Sequence, residues 1–154
     1  MFKVAIIGPE STGKSTLARY LANRYKGTCV PEYARTYVEQ KGTTDVTFDE
    51  LCEIAHHQIE EIKNLTDDLY FFDTDLLVTK VWFDYAFGQV PEWLNEAIKS
   101  YPMNVYLLTY PDLPWIPDPA RSNGSDTIRL ELFQRYEAEI QALDIPYYII
   151  KHQK

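Results

Sequence analysis

The chain has 154 residues, enough for one domain with a real core and too few for two ordinary ones. With 45% hydrophobic and 25% charged residues it reads as soluble and globular, and no apolar run approaches the roughly 20 residues of a membrane helix. A formal net charge of −8 without any basic run argues against a nucleic-acid partner, which requires a concentrated cationic face.

The N-terminus has none of the features of a signal peptide, so the expected location is cytoplasmic. It begins directly with a strand, Lys3-Val4-Ala5-Ile6-Ile7. Next comes Gly8-Pro9-Glu10-Ser11-Thr12-Gly13-Lys14-Ser15, which fits the phosphate-binding pattern G-x-x-x-x-G-K-[ST] at every specified position. Strand, glycine-rich loop and helix in that order aim backbone N–H groups and a helix N-terminus at one anion. Gly8 and Gly13 permit the tight turn, Lys14 is assigned to the β- and γ-phosphates, and Ser15 to Mg²⁺. In the helix that follows, Leu17, Tyr20, Leu21 and Tyr25 are expected to face the sheet, with Arg19, Asn23 and Arg24 outward.

Thr28-Cys29-Val30 reads as a second strand, with Pro31-Glu32-Tyr33-Ala34-Arg35 at its carboxyl end, where open α/β sheets bind ligands. A loop is expected around Gly42. Thr47 and Glu50 form a capping box for a long helix with Phe48, Leu51, Cys52, Ala55, Ile59 and Ile62 on one stripe. His56 and His57 are adjacent and cannot share a helical face, which makes them surface or satisfied histidines rather than a metal pair. Cys29 and Cys52 lack metal-like spacing and read as reduced core residues.

Leu69-Tyr70-Phe71-Phe72 is a buried-strand run that delivers Asp73-Thr74-Asp75 to the sheet edge, in the manner of a Walker B element. An apolar helix from Leu76 to Phe87 ends near Gly88, and Pro91 opens a short helix through Lys99. Val105-Tyr106-Leu107-Leu108 is a fourth strand. Residues 109–129 form a lid-like segment whose four prolines preclude regular structure near its start. Helical periodicity resumes through Leu130, Phe133, Tyr136, Ile140 and Leu143, and Tyr147-Tyr148-Ile149-Ile150 is the last strand. The alternation predicts a single α/β domain over residues 1–154, with a mostly parallel five-stranded sheet, helices on both faces and a P-loop kinase-like three-layer fold.

Phosphoryl transfer requires positioning and charge neutralisation, and each part has a candidate. Asp73 is assigned to Mg²⁺ with Ser15, against the alternative of a helix N-cap. Glu32 is assigned as the acceptor-side base, Asp75 being the alternative for that role. Arg121 and Arg129 bracket Gly124 and are expected to close over ATP as lid arginines, against the alternative of ordinary surface charges. Tyr33, Trp82, Tyr85 and Trp115 are candidates for stacking on a flat or cationic ring, with Trp115 the best placed of them.

The P-loop with Thr16, Pro31-Glu32-Tyr33-Ala34-Arg35, Phe72-Asp73-Thr74-Asp75, and Pro114-Trp115-Ile116-Pro117-Asp118 with Arg121 and Arg129 together resemble the ribosylnicotinamide kinase domain of NadR-type proteins. That resemblance implies ATP-dependent phosphorylation of nicotinamide riboside at its 5′-hydroxyl to nicotinamide mononucleotide, in NAD salvage. It places ATP at Gly8, Gly13, Lys14, Ser15 and Thr16, Mg²⁺ at Asp73, and the riboside near Glu32, Tyr33, Arg35, Trp115 and Asp118. NadR-type proteins often join this kinase to a nucleotidyltransferase, and a chain of this length is expected to hold the kinase alone. The alternatives are a kinase of another nucleoside or small metabolite, and an ATP-binding regulatory module with no acceptor. The expected partners are small molecules, and the oligomeric state is left open.

Overall fold

The computed structural model describes residues 1–10, 12–112 and 126–151. Its elements follow the order β1 (Phe2–Ile7), α1 (Lys14–Tyr25), β2 (Thr28–Val30), α2 (Tyr33–Lys41), α3 (Phe48–Lys63), β3 (Leu69–Asp73), α4 (Leu76–Phe87), α5 (Glu92–Ser100), β4 (Val105–Thr109), α6 (Asp126–Leu143) and β5 (Tyr147–Ile150). The five strands form one parallel sheet in the order β2-β3-β1-β4-β5. β1 therefore lies at the centre, between β3 and β4. The chain winds outward in both directions from that centre, as a P-loop kinase-like sheet does, and the expected fold class is borne out.

The pleat divides the core in two, because successive side chains leave a strand on opposite faces. Val4 and Ile6 of β1 pack with Phe71 of β3 against Ala18 and Ala22 of α1. Ala5 and Ile7, with Phe72, Tyr106 and Leu108, meet α3, α4, α5 and α6 on the other face. Burial at both faces explains why these strands read as unbroken apolar runs.

α1 departs from its expected facing. Tyr20 is 61% exposed and Tyr25 58% exposed, and the stripe on the sheet is Leu17, Ala18, Leu21 and Ala22. The small alanines allow the helix to approach closely, whereas large rings at their positions would hold it off. Leu130 of α6 is likewise exposed, and that helix buries Arg129, Leu132, Phe133, Tyr136 and Ile140.

α2 was not expected at all. None of its nine residues is fully buried, and its short apolar face is the half-buried Tyr33, Ala34, Tyr37 and Val38, the first three packed on the core. It is tied to α3 by polar contacts. Tyr37 hydroxyl lies 3.1 Å from Glu53 Oε2 and 3.3 Å from Glu50 Oε2, and Lys41 Nζ lies 2.5 Å from Glu50 Oε1. The Lys41 ammonium and the Thr47 N–H hold the Glu50 carboxyl down at about 2. Glu50 also completes the capping box expected at Thr47.

Both cysteines are free and partly buried, and burial pushes each thiol up, in keeping with unreactive packing residues. No helix among the described residues is long and apolar enough to cross a membrane.

Candidate active site

Gly13 ends the P-loop in the left-handed region, at φ 82°, and the first intrahelical bond of α1 runs from Leu17 N–H to Gly13 carbonyl at 3.0 Å. The N–H groups of Ser15 and Thr16 precede that ladder and make up the open, positive end of the helix. Lys14 is buried, and its Nζ donates to Pro9 carbonyl at 2.9 Å, so the ammonium already lies across the loop. Thr12 donates to the same carbonyl at 2.6 Å, and its hydroxyl meets that of Thr109 at 2.6 Å. A Cβ placed on Gly8 would lie 2.0 Å from Thr109 Oγ1, which explains the glycine there by close approach of β4.

Asp73 reaches this loop because its strand is the immediate neighbour of β1, with Ile6 opposite Asp73 in register. Ser15 Oγ donates to Asp73 Oδ2 at 2.5 Å. Asp73 does not cap α4; that role belongs to Asp75, whose carboxylate accepts from Leu77 N–H at 3.2 Å. Ser15 and Asp73 thus present hard oxygen donors side by side at the helix N-terminus, a donor set that suits Mg²⁺ with water and phosphate oxygens completing its shell.

Glu32 sits at the N-cap position of α2 and makes no capping bond. It is buried, and its Oε2 accepts from Thr74 hydroxyl at 2.8 Å. Thr74 has φ 74°. A left-handed backbone in a β-branched residue costs on the order of 1–3 kcal/mol, so the neighbouring contacts must hold it there.

A cleft of about 510 Å³ joins these groups. Gly8, Glu10 and Lys14 form its phosphate end, with Glu32 and Thr74 beside them. α2 and the turn after it contribute Ala34, Arg35 and Val38, then Thr44 to Thr47. Trp82, Tyr85 and Phe87 of α4 form an aromatic wall, in which Trp82 and Tyr85 meet edge to face at 5.6 Å. The arrangement can hold a polyphosphate at one end and a flat, largely apolar group at the other.

A family model described as an AAA domain matches residues 3–154. The chain belongs to that AAA domain family. It is also 32% identical over 143 residues to the trifunctional NAD biosynthesis/regulator protein NadR of Escherichia coli, a match that covers 89% of this chain and 35% of the relative. The chain therefore spans about a third of that protein's length. Among solved structures, NadR in complex with NAD and AMP-PNP superposes with a TM-score of 0.81 at 22% identity, over 99% of this chain and 44% of that one. NadR in complex with NR superposes with a TM-score of 0.76 at 25% identity, over 96% and 43%. Deoxyadenosine kinase from M. mycoides with bound dCTP shares the fold, with a TM-score of 0.65 at 17% identity over 97% and 90%.

Within this AAA domain, the structure brings Gly8, Lys14, Glu32, Arg35 and Trp82 to one cleft, whereas Ser15 and Asp73 contact each other outside the residues that line it. Gly13 forms the loop's closing turn, and Thr16 is exposed on the first turn of α1. Arg35 pairs with Glu39 at 3.1 Å.

Three expectations need correction. Asp75 is not aimed at an acceptor: it is buried behind the sheet edge, where its Oδ2 accepts from Tyr106 hydroxyl at 2.8 Å, and burial pushes its carboxyl up to about 6. Tyr33 stacks on His57, ring centroids 3.5 Å apart, outside the residues that line the cleft. Arg129 is neither a surface charge nor a lid residue in the open. It is 2% exposed, within reach of Glu10 carbonyl at 3.4 Å and ion-paired with Asp126 at 2.9 Å, which seats it against the P-loop. Trp115, Asp118 and Arg121 lie outside the described residues.

Thr12, Thr74 and Thr109 were passed over. The only sequence signal for Thr74 was its place between two carboxylates at a strand-to-helix junction, where a sharp turn is required.

Proposed function

We propose that the chain uses ATP to phosphorylate nicotinamide riboside at its 5′-hydroxyl, giving nicotinamide mononucleotide. The carrying observation is that one cleft holds the P-loop lysine, the buried Glu32 and the aromatic wall around Trp82 together. Phosphoryl transfer needs little covalent help from protein, so charge and alignment suffice. The likeness to NadR, including its complex with NR, supports the acceptor. A planar, cationic nicotinamide ring also suits an aromatic wall.

In this reading Lys14 and the N-terminus of α1 hold the β- and γ-phosphates, and Arg129 supports the loop from behind. Mg²⁺, when bound by Ser15 and Asp73, would supply neutralisation of the charge on the transferring phosphate. Glu32 accepts the proton of the acceptor hydroxyl. Trp82 and Tyr85 hold the ring at the other end of the cleft.

The test is ATP consumption with Mg²⁺ across nicotinamide riboside, ordinary nucleosides and no acceptor, with product mass measured. A phosphate-sized gain on nicotinamide riboside is the expected result. Gain only on another nucleoside would discard the acceptor and retain the kinase, whereas ATP binding with no phosphorylated acceptor would leave a regulatory module.

A further inference from the structure

Thr74 is the strained residue of the site. Lys26 and Asp144 also have positive φ, but each is exposed just beyond the end of a helix, a common place for that conformation. Thr74 is buried between a strand and a helix. Glycine or asparagine occupies the left-handed region with less crowding of Cβ, so nothing in the turn itself calls for threonine.

The surroundings hold the turn from three sides. Thr74 N–H donates to Ile6 carbonyl of β1 at 3.0 Å. On one flank Asp73 accepts from Ser15, and on the other Asp75 caps α4 and accepts from Tyr106. What the threonine adds is its hydroxyl, which donates to Glu32 Oε2 at 2.8 Å across 42 residues of sequence. The terminal torsion of a glutamate is broad and roughly two-fold, so an unheld carboxylate spreads over many orientations. Fixing one oxygen fixes the plane of both.

We propose that Thr74 is a positioning residue for phosphoryl transfer, its left-handed backbone serving to hold the Glu32 carboxylate toward the acceptor hydroxyl. This rests on the reading of Glu32 as the base. In the step concerned, the acceptor O–H gives its proton to Glu32 and its oxygen bonds to the γ-phosphorus. The bond from that phosphorus to the β–γ bridging oxygen breaks, and its electron pair leaves with ADP.

The experiment measures kcat, both KM values and Tm for Thr74→Val, Thr74→Ser, Thr74→Gly and Glu32→Gln, with nicotinamide riboside as acceptor. Thr74→Val keeps the shape and loses the donor, and its kcat is expected to fall about 10- to 100-fold with little change in KM for ATP. Thr74→Ser keeps the donor and is expected to stay within about threefold of wild type. Thr74→Gly relieves the backbone, so Tm is expected to hold or rise while kcat falls as in Thr74→Val. That separation of stability from turnover is one a merely structural role would not give. In a Glu32→Gln background Thr74→Val should add no further loss, because the group it holds is gone. Wild-type kcat in Thr74→Val or Thr74→Gly, or full additivity with Glu32→Gln, would overturn the proposal. If Thr74→Val fails to fold, Thr74→Gly and Thr74→Ser decide it. Unchanged kcat in Glu32→Gln would instead sink the base reading and this proposal with it, whereas loss there without loss in Thr74→Val sinks this proposal alone.

Discussion

The Ser15 hydroxyl donates to the Asp73 carboxylate at 2.5 Å, a contact across 58 residues that locks the first turn of α1 to the carboxyl end of β3. It arises because β1 and β3 are hydrogen-bonded neighbours, so the loop leaving one emerges beside the last residue of the other. Asp73→Asn keeps the size of the group and removes its charge. The Mg²⁺ concentration for half-maximal activity should rise by about tenfold or more, since a neutral amide is a poor ligand for a hard cation. A magnesium titration checks this, and an unchanged midpoint would remove Asp73 from the metal assignment.

Lys14 lies across the P-loop with its ammonium on Pro9 carbonyl. Lys14→Ala should lower turnover by at least about 100-fold while the fold persists, because in the proposed function this charge acts on the transferring phosphate. Circular dichroism and Tm establish the fold, and coupled-assay kinetics establish the loss. Wild-type-like turnover would overturn the P-loop assignment.

A methyl group at Gly8 would collide with Thr109, both at its side-chain oxygen and at its main-chain oxygen, the latter at 2.8 Å. Gly8→Ala should therefore weaken ATP binding by about tenfold or more, by displacing the loop from the phosphates. Trimming the neighbour in Gly8→Ala/Thr109→Ala should not restore binding, because the main-chain contact remains. Calorimetric titration of both variants with ATP checks this, and rescue by the second change would place the conflict in the side chain alone.

Burial raises the Asp75 carboxyl from its ordinary 3.8 to about 6. Between those values the folded protein holds a proton that the unfolded chain releases, so this group's contribution to stability is fully present below the lower value. It is lost as pH rises through the upper one. Asp75→Asn cannot titrate. Relative to that variant, the wild type should gain stability on going from pH 7.5 to pH 5, read as the difference in urea midpoints. A difference that does not change with pH would contradict the assignment.

The parts of the fold legible in the sequence are those fixed by local physics. Buried strands such as Leu69–Asp73 announce themselves as apolar runs, and the capping box at Thr47 was visible because both of its partners lie within one turn. α2 is hard to read because it is short, its face on the core is only half-buried, and Tyr37 and Lys41 reach across to polar groups of α3 and its N-cap turn. The motif residues of the site, Lys14, Ser15, Glu32 and Asp73, could be named from pattern. Their supports could not: the hydroxyls of Thr74 and Thr109 act on residues 42 and 97 positions away, and only the strand order brings them there. The burial of Arg129 is not legible for the same reason, since its approach to the P-loop depends on how α6 packs.

The position of β1 has a further consequence for how the chain comes to be folded. It precedes the other described strands in the sequence and is the middle one in the sheet, and its partners begin only at Leu69 and Val105. As the chain leaves the ribosome, β1 has no strand to pair with until β3 has been made, and its second side stays open until β4 follows. Such distant pairings are slow to close and leave apolar edges exposed meanwhile. The phosphate-binding loop is made before both strands that frame it, and its contacts with Thr109 and Asp73 can form only once those strands have followed.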